Sequence, residues 1–147
     1  MKGGSEGEAE GKDFSQEIKN QTPIRVLVVD HTQGIRNILK TSLKHNGNFI
    51  PVLSRDFNEA KASIEQGKNE GPIQIIFAEC SFLAQLSSLE ELRDVPVITY
   101  DEREDVTTEE AKSSGATMLL LGGFKVDEAM KALDMIAKTL PTAKIIR

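Results

Sequence analysis

The sequence predicts an α/β fold, a doubly wound sheet of five parallel strands in the order 2-1-3-4-5 with helices on both faces. Two observations carry that prediction. Short apolar runs, Val26-Leu27-Val28-Val29 first among them, read as strands buried on both faces, and such strands belong to parallel sheets. Stretches with apolar residues at helical spacing alternate with these runs across short connections. A third observation places the chemistry. Three of the runs stop on an acid, at Asp30, Glu79 and Asp101, and in an open parallel sheet the crevice lies outside the carboxyl ends of the strands.

The bulk composition excludes several classes. A chain of 147 residues, 39% hydrophobic and 28% charged, is one ordinary domain with enough length for a core. A net charge of -5 repels phosphate backbones, and no run of Lys and Arg with interleaved aromatics offers an exception, so no nucleic acid partner is expected. The single cysteine, Cys80, excludes an intrachain disulfide and any multi-cysteine metal site, which fits a reducing compartment. No apolar run approaches the ~20 residues of a membrane span, and no hydrophobic signal region opens the chain. The expected location is cytoplasmic, away from membranes.

Residues 1–21 are rich in Gly, Glu, Lys and Ser and read as a disordered or linker lead; 22–141 form the folded domain, and 142–147 a C-terminal tail. After the first strand, Ile35, Ile38, Leu39 and Leu43 mark a helix with Thr32 as N-cap and Asn46-Gly47 as its stop. Phe49 to Leu53 is the second strand, and Pro51 places it at an edge. Phe57, Ala60 and Ile64 face inward from a second helix, opened by Ser54 or Asp56 and closed near Gly67. Ile73 to Ala78 is the third strand, and Leu83, Leu86, Leu89 and Leu92 mark a short third helix. Val95 to Tyr100 is the fourth strand. Thr107 and Glu110 make a capping box for a fourth helix ending at Gly115. Met118 to Leu121 is the fifth strand, broken by Gly122-Gly123, and Val126 to Leu140 is the clearest amphipathic helix, ended by Pro141.

The topology makes Asp30, Glu79 and Asp101 neighbours. Such acids either hold a divalent metal or carry proton or phosphoryl chemistry, although strand ends are commonly polar without any function. Nucleophilic hydrolysis has no support, because His31 and His45 lack a matched serine or cysteine elbow. His45 suits a helix C-terminus, and Cys80 suits a small core filler.

From Ile24 to Leu140 the chain resembles the receiver domain of two-component response regulators, a flavodoxin-like fold that takes a phosphoryl group on an aspartate from a histidine kinase. The matching features are Val26-Leu27-Val28-Val29-Asp30, Gln74-Ile75-Ile76-Phe77-Ala78-Glu79, Val95-Pro96-Val97-Ile98, and Ser114-Gly115-Ala116 leading to Leu119-Leu120-Leu121 and Phe124. The resemblance implies a pair of acids for magnesium, an aspartate acceptor, a hydroxyl and a lysine. The chain departs from that set throughout. The acid pair is Asp30 and His31, and His31 is a poor ligand for a hard cation. The acceptor position falls on Glu79, or on Ala78 under a one-residue shift. The hydroxyl position falls on Asp101, the lysine on Gly122, the following proline on Gly123 and the aromatic switch on Leu119.

These departures agree on a pseudo-receiver, not an enzyme and without a cofactor, which acts by phosphorylation-independent protein-protein interaction. Its implied partners are a signalling protein such as a histidine kinase or an output domain, or a second copy through the fourth helix, fifth strand and fifth helix. Two alternatives stay open. One keeps residual phosphoryl or divalent-metal binding, magnesium included, through Asp30, Glu79 and Asp101. The other is a cobalamin-like small-molecule domain of the same topology, suggested by His31-Thr32-Gln33-Gly34, Ser81-Phe82-Leu83 and Gly122-Gly123.

Overall fold

The computed structural model describes residues 23–100, 108–113 and 115–140. The expected lead and tail fall outside the described residues. So do Asp101 and the Thr107 end of the expected capping box.

Five strands form one parallel sheet in the order β2-β1-β3-β4-β5: β1 Ile24–Val29, β2 Phe49–Ser54, β3 Ile75–Glu79, β4 Val97–Tyr100 and β5 Met118–Leu120. The helices are α1 Gln33–Asn46, α2 Phe57–Gln66, α3 Leu83–Leu86, α4 Thr108–Ser113 and α5 Val126–Thr139. The apolar run of β1 is fully buried because it sits between β2 and β3 with helices above and below. Period-two alternation divides the core into two layers. Val26, Val28, Ile75, Phe77, Ile98 and Tyr100 face α1 and α5, meeting Leu39, Leu43 and Leu133. Leu27, Val29, Ile76, Ala78 and Val97 face Ala60 of α2, Leu83 and Leu86 of α3, and Leu92.

The helix ends have local causes. Gly47 closes α1 at φ 85°, a left-handed conformation suited to glycine, with its N–H donating to Leu43 O. Asp56, not Ser54, opens α2: its Oδ1 accepts from Glu59 N at 2.9 Å. Thr32 occupies the N-cap position of α1, but its side chain makes no capping bond. Pro51 lies opposite Val26 on β2, which is an edge strand, and there a missing N–H is tolerated.

Three elements differ most from expectation. β3 begins at Ile75, two residues after the expected start, and just before it Gln74 bridges to Arg25, its N–H donating to Arg25 O at 3.0 Å and its Oε1 accepting from Arg25 N at 3.3 Å. β4 begins at Val97, two residues after the expected start. The third helix is a single short turn flanked by 3-10 turns at Cys80–Phe82 and Glu90–Leu92. Ser87 and Ser88 account for the break, since their hydroxyls donate back to Ala84 O and Gln85 O at 2.9 and 2.6 Å and compete with helical continuation. The expected leucines still turn inward, with Leu83, Leu86 and Leu92 buried and Leu89 half-buried.

Candidate functional site

The carboxyl ends of β1 and β3 are adjacent, with Val29 opposite Ala78, so Asp30 and Glu79 follow side by side. Alternation decides which side chains meet. Glu79 shares the α1/α5 face with Phe77, and Asp30 continues the face of Val26 and Val28, whereas Ala78 is buried against the other layer. Glu79, and not Ala78, therefore stands beside Asp30.

Asp30 is fully buried and its hydrogen-bonding capacity is drawn inward. Oδ1 accepts from the backbone N–H of Thr32 at 2.9 Å, and Oδ2 accepts from the Tyr100 hydroxyl. Its backbone is held as well: the N–H donates to Ser54 O at 3.0 Å, and the carbonyl accepts from Arg36 Nη1 at 2.7 Å. Tyr100 is itself fixed by Phe77, stacked at 6.0 Å, and by Phe124, edge-on at 5.6 Å. A buried carboxylate with two internal donors reads as a structural tether between β1, β4 and the start of α1. The sequence reading did not connect Tyr100 to Asp30. The signal was available, because Tyr100 is two residues after Ile98 and so shares its face.

Glu79 is partly buried, with its side chain 22% exposed, and its Oε1 contacts His31 Nδ1, whose ring is 66% exposed. Asp30, His31 and Glu79 are, among the described residues, the one group of potential ligands whose donor atoms all lie within 4.8 Å of one another. As a magnesium site the set fits poorly. One acid is sealed and already bonded to two donors, and the third ligand is a nitrogen, whereas magnesium demands a near-ideal oxygen octahedron. A cation that accepts imidazole together with carboxylates matches it better.

Gly122 stands at φ 80° and Gly123 at φ 92°. A residue with a side chain is strained at Gly122, so the turn after β5 is committed to glycine there. The Lys125 amine lies 3.7 Å from where a Cβ on Gly122 would sit, and it forms no ion pair within 4.0 Å among the described residues. A cation is thus present near the end of β5, but from a different backbone position than the resemblance implies. Leu119, half-buried, packs in the α2/α3 layer. Leu83 of the cobalamin-like pattern is also core, and Asp101 lies outside the described residues.

No family model and no curated protein sequence matches the chain. Solved structures do match. The chemotaxis response regulator CheY4 of Vibrio cholerae superposes with a TM-score of 0.61 at 19% identity, over 78% of this chain and 99% of that one. A response regulator from Thermotoga maritima gives 0.61 at 19% identity, over 81% and 100%. The receiver domain of the sensor histidine kinase PA1611 from Pseudomonas aeruginosa, with a magnesium ion coordinated in its active site cleft, gives 0.57 at 17% identity, over 79% and 99%. The described domain has the receiver fold of response regulators.

Proposed function

We propose that this receiver-fold domain is a pseudo-receiver, a protein-interaction module whose state is not set by phosphoryl transfer. One observation carries the reading: the Asp30 carboxylate is buried and engaged on both oxygens, by Thr32 N–H and the Tyr100 hydroxyl. An acid so held is a poor recruit for a metal that must gather a phosphoryl group. The supporting features point the same way. Glu79 is engaged by His31, and the turn at Gly122 supplies no side chain of its own. Transition-state stabilisation in phosphoryl transfer comes almost entirely from positioned cations and donors, and here the one cation near the turn among the described residues is Lys125, from another backbone position, with no free acid pair to gather a metal beside it. A histidine kinase or an output domain is the partner class the fold suggests, or a second copy through α4, β5 and α5.

Incubation with acetyl phosphate and magnesium followed by intact mass measurement tests the reading. The expected result is an unchanged mass, and a labile phosphoryl adduct on Glu79 overturns it. Light scattering after size exclusion tests self-association separately.

A second reading is favoured by the compact Asp30, His31 and Glu79 group, to which Asp101 belongs on the sequence reading. In it the domain holds a divalent cation of the imidazole-accepting class. Titration with zinc, and paramagnetic broadening by manganese at the amides of residues 30, 31 and 79, distinguish the two: saturable, localised effects favour the metal, and their absence leaves the interaction module.

A further inference from the structure

At the opposite, amino-terminal end of the sheet lies an open cleft of about 350 Å³, large enough for a small organic molecule. Its walls are mostly apolar, from Ile64, Pro72, Ile73 and Leu92. Arg25 of β1 also lines it, although its side chain is only 9% exposed. A guanidinium has five N–H donors. Here one acceptor meets them, Glu70 Oε1 at 3.2 Å from Nη1, and that glutamate is itself 70% exposed. The buried Nε has no acceptor, whereas Nη2, which is not among the buried unpartnered atoms, is the donor open to the cleft. Gly67 makes room for the group: a Cβ there would lie 2.6 Å from Nη2. A largely buried guanidinium with an unmatched Nε is costly unless a further acceptor comes to it.

We propose that this cleft binds a small monocarboxylate with an apolar body, its carboxylate accepting from Arg25 and its body covering Ile64, Ile73 and Leu92. The planar fork of a guanidinium matches a carboxylate directly. A dianion is disfavoured because Glu91 lines the same cleft and the second cation there, Lys68, is already paired with Glu65 at 3.2 Å. Glu70 is the resident competitor: it holds Nη1 from an exposed position, and a ligand carboxylate takes its place. The site shares no residue with the Asp30 crevice and does not rest on the pseudo-receiver reading.

Amide spectra of the whole chain titrated with hexanoate, hexanol and butyl phosphate test the proposal. Hexanoate produces saturable shifts at Gly67, Gly71, Ile73 and Leu92, and both other probes bind about tenfold more weakly or worse, as expected when the carboxylate is needed. Glu70→Gln, at a surface position that leaves the fold intact, tightens hexanoate about two- to fivefold, the worth of an exposed ion pair removed from competition. Arg25→Gln abolishes the shifts. Equal binding of hexanol or butyl phosphate overturns the proposal, as does a Glu70→Gln chain that binds hexanoate no more tightly or shows no saturable shift; these readings hold even if Arg25→Gln fails to fold.

Discussion

The two ends of the sheet treat charge in opposite ways. At the carboxyl end Asp30 is fully buried, yet both its oxygens are matched by donors of the protein itself, and neighbouring Glu79 has His31. At the amino end Arg25 is nearly as buried, yet its guanidinium has one acceptor, supplied by an exposed glutamate. Topology favours the first end as the place for ligands, since that is where the strand tips of a doubly wound sheet open. The side chains favour the second. The position of a crevice follows from strand order, whereas its readiness for a ligand follows from which polar groups remain unmatched.

The sharpest break of this comparison comes at Asp30. Asp30→Ala strands the Thr32 N–H and the Tyr100 hydroxyl together and is expected to destabilise the domain by about 3 kcal/mol in urea unfolding, with Tyr100→Phe costing about half as much. If Asp30 were kept for ligand chemistry and not for tethering, its removal would leave stability unchanged or raise it. Gly122→Lys, which forces a side chain onto a left-handed backbone, is expected to cost about 1–2 kcal/mol in the same measurement and to bring no gain in phosphoryl acceptance. The smallest effect concerns His31 and Glu79. A double-mutant cycle of His31→Ala and Glu79→Gln is expected to give a coupling below about 1 kcal/mol, because the exposed ring keeps the pair screened by water. A coupling several times larger would place that pair with Asp30 as a structural element.

Much of the fold was legible because its signals are local. The run Val26 to Val29, the stop at Gly47 and the edge-marking Pro51 each act over a few residues; the recurrence of apolar runs between helical spacings implied a parallel sheet, and the order found is the simplest doubly wound one. The third helix was misread in length, since four leucines at helical spacing outweighed Ser87 and Ser88, whose hydroxyls turn back on the chain. The position of Glu79 beside Asp30 follows from alternation alone. The use of Asp30 was missed although alternation puts Tyr100 on the same face, because the pair is 70 residues apart in sequence and no local pattern joins them. Arg25 was invisible for a similar reason: at the start of an apolar strand it looks like a solvated flank, and only its low exposure and the close approach of Gly67 show that it is packed inside.

The central claim is that the carboxyl-end crevice no longer traps a phosphoryl group. Beryllofluoride with magnesium, a mimic that needs no covalent chemistry from a kinase, tests it most directly when the amides of residues 30, 31, 79 and 122 are followed by nuclear magnetic resonance. The account predicts spectra superimposable with those of the untreated protein. Saturable shifts centred on Glu79 and Asp30 would contradict it.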